Sequence, residues 1–315
     1  MNLTPYKVGL KRRFMSKPFE CMAVIGTGIL GTQIAMVSAY AGYEVSVYDA
    51  VEGSFDSTYA KLYADLKARG MDPFIPWDKW EECKKKIRSE TDLGRALKNV
   101  DFVVEAITED LEMKRKLFKQ MGELAPAETI FASNSSSLPI SRMEESCGRP
   151  ERCINTHFYY PLYGSIMTDL MAGTKTLPEV MQKGEEWIRS LGIVPLRVKK
   201  EALGFCFNSV WRAIKKQTLY MWANGIADFQ DIDRGWIIWS GMKFGPFAMM
   251  DSVGLDTVCN IEMVYYDESK DPRDKPPDAL LEKVKKGELG VKTGKGFYTY
   301  PNPEFLDPNF LNPKK

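Results

Sequence analysis

One histidine occurs in the 315 residues, His157. Any imidazole chemistry must run through it, a His-rich metal site is excluded, and no metal is expected. Asp169 lies twelve residues on, across a turn and inside an apolar run, where it could return beside the ring. An imidazole titrates near neutrality, so it can take a proton from an alcohol and return it in the reverse reaction. A carboxylate beside it orients one ring nitrogen and stabilises the imidazolium. A lone histidine is often only a satisfied structural group. Here it ends an apolar run, 153–157, which reads as a strand, and that position favours chemistry.

A second set of residues has a spacing that binds phosphate. Gly26, Gly28 and Gly31 stand in G-x-G-x-x-G order, after an apolar strand pattern at 21–25 and before a helical pattern containing Ile34, Met36 and Val37. A second strand pattern, 44–48, ends on Asp49. Gly26 permits the tight turn, Gly28 lets a pyrophosphate approach the backbone, and Gly31 lets the helix pack close to the sheet. Unpaired N–H groups at the helix start hold the phosphates. Asp49 accepts from the adenosine ribose hydroxyls and repels a 2′-phosphate, and no arginine directly follows it, so NAD is favoured over NADP. The alternative is a glycine-rich turn in some other α/β unit.

Two further strand patterns end in polar residues. Residues 101–107 lead into Thr108, Glu109 and Asp110, then a helix carrying Lys114. Acids suit a helix N-terminus, which is the plain structural role of Glu109 and Asp110. The carboxyl ends of strands in a doubly wound sheet also face the cofactor crevice, which is where Glu109 falls. Residues 129–138 end in Ser133-Asn134-Ser135-Ser136-Ser137, either an ordinary turn or the lining of a site.

These residues need a parallel sheet to position them. Strand–helix alternation runs to about residue 200, with a helix near 177–191 and a last strand near 193–198. Residues 52–92 read as a charged helical pair protruding from this domain. Beyond 200 the pattern is helical and rich in aromatics, over 205–224, 231–239 and from about 247, and such stripes are more often core or dimer interface than a ligand box. The expected organisation is a basic arm at 1–19, an α/β Rossmann-type domain at 20–200 and an all-α domain at 201–315. The arm holds five basic residues and no hydrophobic signal core.

Composition agrees with a globular chain, 44% hydrophobic and 27% charged, with net charge +1. Nothing in that balance favours nucleic acid or membrane, and no apolar run is long enough to span a bilayer. The six cysteines are scattered without a C-x-x-C pair, which argues against a disulfide framework or structural zinc. Most of them read as buried small residues of a protein in a reducing, cytoplasmic compartment.

Taken in order, the motifs from about Cys21 to Tyr300 resemble the L-3-hydroxyacyl-CoA dehydrogenases of fatty-acid β-oxidation. The residues that carry the resemblance are Gly26-Thr-Gly-Ile-Leu-Gly31 with Asp49, Val104-Glu-Ala-Ile-Thr-Glu109 with Lys114, and Ser133 to Leu138, similar to S-N-T-S-S-L. His157-Phe158 opens the segment usually written H-F-F-N-P, and Asp169 falls on the family's catalytic glutamate. Gly204 to Asn208 resembles G-F-I-V-N-R, and Gly245-Pro246-Phe247 with Asp251 and Thr293 to Tyr298 complete the match.

The resemblance implies NAD-dependent oxidation of an L-3-hydroxyacyl-CoA, or its reverse, by a homodimer joined through the helical domain. His157 would be the base, Asp169 its orienting acid, and Ser136 and Asn208 would hold the developing carbonyl. The implied cofactor contacts are Gly26, Gly28, Ile29, Leu30, Gly31, Asp49, Ala106, Glu109, Lys114 and Asn134. The substrate pocket would include Ser136, Tyr160, Asn208 and Trp211. Tyr160 stands where the family has asparagine, Asp169 is one methylene short, Ser209 replaces an arginine, and Tyr163 and Gly164 replace the common P-V. These departures point to an unusual acyl group. Alternatives are a dehydrogenase of a non-CoA 3-hydroxy acid or sugar acid, and a catalytically inactive NAD-binding protein.

Overall fold

A computed structural model describes residues 15–68, 74–160, 162 and 166–312. They divide into two compact units, one ending at Phe207 and the other beginning at Asn208. Pro161, Tyr163, Gly164 and most of the basic arm lie outside the described residues. The end of the arm is not loose, because Phe19 stacks on Phe102 with ring centroids 5.1 Å apart.

The first unit opens with β1 (Cys21–Ile25), α1 (Ile29–Tyr40), β2 (Glu44–Tyr48), α2 (Ser54–Ala68), α3 (Trp80–Lys85), β3 (Ile87–Glu90) and α4 (Leu93–Ala96). It continues through β4 (Phe102–Glu105), α5 (Leu111–Leu124), β5 (Ile130–Ser133), β6 (Cys153–Phe158), β7 (Met167–Ala172), α6 (Pro178–Ser190) and β8 (Val194–Val198). The strands form one sheet in the order β3-β2-β1-β4-β5-β6-β7-β8. Every neighbouring pair is parallel except β6 and β7. Met22 and Val24 enter one apolar cluster while Ala23 and Ile25 enter another. Alternate residues of the central strand therefore feed cores on opposite faces, and the sheet is covered on both sides as a Rossmann-type fold requires.

The segment 52–92 departs from the expected helical protrusion. Phe55, Tyr59, Leu62 and Leu66 of α2 and Trp80 of α3 are buried in the same cluster as Ile34 and Met36 of α1. Residues 87–90 form the edge strand β3, paired with β2. Its sequence, Ile-Arg-Ser-Glu, buries only Ile87. An edge strand needs one apolar anchor and tolerates charge elsewhere, so it carries little periodic signal.

The helical unit includes most of α7 (Phe207–Ala223), then α8 (Phe229–Ser240), α9 (Pro246–Val253), α10 (Leu255–Ser269) and α11 (Asp278–Lys285). Leu219, Ile237, Phe247, Met250, Leu255, Val258 and Phe297 form its core. Two buried aspartates tie this core together. Asp233 accepts from the N–H groups of Phe247 and Ala248 at the start of α9 and from the Tyr298 hydroxyl, at 2.9, 3.1 and 3.0 Å. Asp251 accepts from the N–H groups of Phe297 and Tyr298 and from the Tyr300 hydroxyl, at 2.9, 2.9 and 3.0 Å. Burial pushes Asp233 up to about 6 against the pull of those donors. The motif around residues 293–298 is thus accounted for as the strap that docks on Asp251. Among the described residues, no helix is long and apolar enough to cross a membrane.

Candidate active site

The reacting pair is placed by strand register. β6 and β7 run antiparallel, and His157 stands directly opposite Asp169 across them. The Nδ1 atom faces Asp169 Oδ2 at 3.5 Å, the outer limit of a hydrogen bond, and Nε2 faces Ser136 Oγ at 3.0 Å. A carboxylate beside Nδ1 keeps the proton there, which leaves Nε2 as the basic nitrogen on the Ser136 side. The imidazole is buried and Asp169 is wholly so. Phe205 lies parallel to the imidazole, with centroids 4.9 Å apart, and Tyr159 meets it edge-on at 4.6 Å. The Tyr159 hydroxyl donates to Asp169 Oδ2, and the Cys206 N–H donates to Oδ1 at 3.3 Å.

The serine run after β5 divides its work by alternation. Ser135 and Ser137 hold Glu109: the Ser135 hydroxyl donates at 2.5 Å, and the Ser137 N–H and hydroxyl each donate at 2.8 Å. Burial works against the Glu109 charge, but the Ser135 bond, the Lys114 ammonium and the Ser137 donors outweigh it and hold the carboxyl below its usual range. Asn134 Oδ1 accepts from the Phe158 N–H at 2.9 Å, fixing the end of β6. Ser136, between these anchors, is the one turned to His157. Ser137, Met171, Leu203, Gly204 and Phe205 gather closely around it.

Lys114 is almost fully buried, with Nζ 2.5 Å from Glu105 Oε1 and 3.4 Å from Glu109 Oε2. Its ammonium is paired with these two carboxylates and braces the edge through them. Glu105 also accepts from the Ser133 hydroxyl at 2.6 Å and the Ile107 N–H at 2.8 Å.

The glycine turn fits a dinucleotide. Gly26 has φ +97°, and a Cβ there would stand 2.6 Å from the Ala106 carbonyl oxygen. A Cβ on Gly31 would come within 2.0 Å of the Gly26 carbonyl oxygen, whereas one on Gly28 would meet nothing within 4 Å. The turn is therefore closed on its sheet side and open at Gly28, the N-cap of α1, which no side chain caps. Ile29 beside it is half exposed and Leu30 partly buried. At the end of β2, Asp49 accepts from the N–H and hydroxyl of Thr27 at 2.7 and 3.0 Å, and from the Val51 N–H at 3.0 Å. It borders a cavity of about 220 Å³ lined also by Thr27, Tyr48, Phe55 and Glu90. Open backbone donors at a helix start next to an anchored acid are what a pyrophosphate and a ribose diol need.

The remaining expected residues fall in both units. Tyr160 is exposed at the end of β6. Asn208 stands in the first turn of α7, in the helical unit. Trp211, expected in the substrate pocket, packs against the helical unit's own apolar cluster, so packing accounts for it. Sequence reasoning missed Tyr159, Phe205, Thr27 and Glu105. A signal existed for Phe205, an aromatic residue after Gly204 and held at φ +52°, a conformation costly to a residue with a Cβ.

Comparison with known proteins follows the same division of the chain. Residues 21–202 match the family described as 3-hydroxyacyl-CoA dehydrogenase, NAD binding domain, and residues 204–300 match its C-terminal domain. The chain is 30% identical to 3-hydroxybutyryl-CoA dehydrogenase of Clostridioides difficile, over 89% of this chain and 99% of that one. It is 28% identical to 5-formyl-3-hydroxy-2-methylpyridine 4-carboxylate 5-dehydrogenase of Mesorhizobium japonicum, over 89% and 90%. A solved structure described as a diketoreductase acting on dicarbonyl compounds is 35% identical, with TM-score 0.80 over 91% of this chain and 100% of that one.

Proposed function

The chain belongs to the 3-hydroxyacyl-CoA dehydrogenase family, whose members are NAD-dependent oxidoreductases, and from that premise we propose that it interconverts an L-3-hydroxyacyl-CoA carrying a specialised acyl group with its 3-oxo form. The observation that carries this reading is the chain's one imidazole, with Nε2 3.0 Å from a serine hydroxyl and Nδ1 toward a buried acid. NAD, when bound, supplies the hydride acceptor. His157 takes the hydroxyl proton at Nε2. Ser136 donates to the same oxygen as it becomes a carbonyl, and Asn208 is its second donor in this reading. Asp169 balances the charge that His157 acquires. Glu109, held charged by Ser135 and Ser137, lines the cofactor edge with Asn134.

Tyr160 supports the specialised acyl group, because a bulky, exposed phenol replaces the short amide of the family segment three residues after His157. A homodimer through the helical unit belongs to the same proposal. Trp239 and Ile238 on α8, 82% and 61% exposed, offer apolar surface for it. The cytoplasmic setting and the β-oxidation role expected from the sequence stay proposals of the same kind. A non-CoA substrate is the second reading, favoured by the likeness to the pyridine dehydrogenase and the diketoreductase.

A substrate panel tests the choice. Purified enzyme with NAD, followed by NADH absorbance, should oxidise 3-hydroxyacyl-CoA thioesters, with a longer or branched chain preferred over 3-hydroxybutyryl-CoA. Turnover confined to free 3-hydroxy acids or ring alcohols would establish the second reading. A clear preference for the butyryl ester would remove the specialised acyl group.

A further inference from the structure

We infer that Tyr159 is a positioning residue for the reaction: its hydroxyl shares Asp169 with the imidazole and thereby sets how basic His157 is. The inference rests on the reading of His157 as the base. Two departures from the family segments meet at one atom. Asp169 is a methylene shorter than the glutamate it replaces, and Tyr159 adds a hydroxyl at the second phenylalanine of H-F-F-N-P. The added hydroxyl reaches Asp169 Oδ2, the oxygen that also faces His157 Nδ1 at 3.5 Å. Asp169 is fully buried, so its oxygens are cut off from bulk solvent and depend on donors inside the protein.

A carboxylate oxygen already bonded to a phenol stabilises a neighbouring imidazolium less than a free one does. Tyr159 therefore draws part of the carboxylate's charge away from the imidazole. Its ring is held for this task, edge-on to His157 and at 89° to Phe207. Among the described residues, the charged groups on the strands and helix packed against this pair have other partners or are exposed, Glu186 being bonded to Gln182. Strand β5 carries no ionisable side chain. On β8 and α6, Arg197 and Arg189 are both paired with Glu185, and Glu179 and Lys183 are exposed. Glu144, packed near the end of β7, is bound by Thr174. Cys206 contacts Asp169 through its backbone N–H.

The test uses the fact that the chain has one histidine, whose titration can be read by NMR on histidine-labelled protein without assignment. In Y159F, Asp169 Oδ2 loses its phenol donor and turns to Nδ1. The imidazole midpoint should rise by about half to one pH unit, and the acidic limb of kcat/KM should move up with it. A midpoint that stays in place or falls, in a variant whose circular dichroism matches the parent, would overturn the inference. D169E gives a second reading, since the longer acid and the phenol compete for one space. Adding Y159F to D169E should recover kcat/KM by about threefold or more, and merely additive losses would count against the pairing. If the parent enzyme oxidises nothing in the substrate panel, the functional reading falls, and the titration still decides the role of Tyr159.

Discussion

Replacing His157 with alanine is expected to lower kcat by about 10²–10⁴-fold, the usual contribution of a positioned general base. NADH binding, read by fluorescence titration, should be unchanged. The expectation follows from geometry and from scarcity. Nε2 is the basic nitrogen presented toward Ser136, and the chain holds no other imidazole to substitute for it. Ser136 cannot take over, because a hydroxyl donates to the reacting oxygen and is a poor proton acceptor at neutral pH. The nearby carboxylate is also a poor substitute, since Asp169 is fully buried and bonded to Tyr159 and the Cys206 N–H. Turnover by the alanine variant at the parental rate would remove His157 from the chemistry.

The second large effect concerns stability. Lys114→Met is expected to cost about 3–5 kcal/mol, the range for breaking a buried ion pair by removing one partner. Lys114 and Glu105 have side chains 1% and 0% exposed, so the substitution strands a carboxylate in the sheet. The Ser133 and Ile107 donors remain, but neither neutralises the charge. Equilibrium urea unfolding would report the loss. Its pH dependence has a definite sign. A folded-state carboxyl that now binds its proton more tightly than the unfolded chain does contributes stability at low pH and loses it as pH rises, so the deficit should shrink on acidification. Adding Glu105→Gln should recover part of it, because no buried charge then remains. A variant as stable as the parent would mean that the pair is solvated in solution.

Much of this arrangement is written locally, and that part could be read. The glycine turn works through backbone conformation and close approach at Gly26 and Gly31, and only glycine satisfies both. The fourteen-residue helix after β4 and the thirteen-residue helix after β7 carry strong apolar periodicity. The edge strand β3 was not readable, because one buried isoleucine in four residues leaves no alternation to detect. The meeting of His157 and Asp169 could only be allowed by spacing. Register across an antiparallel pair places them opposite one another, and a shift of one residue would have turned Asp169 to the other face of the sheet. The Glu105–Lys114 pair was hidden for a different reason. An acid ending a strand and a lysine nine residues on, in the next helix, carry no periodic signal that they meet, and only the folded sheet buries them together. Trp211 shows how an aromatic residue near a suspected site also packs against the core of its own unit, a contact that spacing alone does not reveal.

Catalysis in this enzyme requires that its sole imidazole meet the reacting carbon–oxygen bond. The most direct measurement is a crystal structure of the enzyme with NAD and the 3-oxo form of its best substrate from the panel. The 3-oxo oxygen is expected within about 3 Å of both His157 Nε2 and Ser136 Oγ, the reach of a general acid and a hydrogen-bond donor. A substrate oxygen seated away from these atoms, with His157 still enclosed by Phe205 and Tyr159, would contradict it.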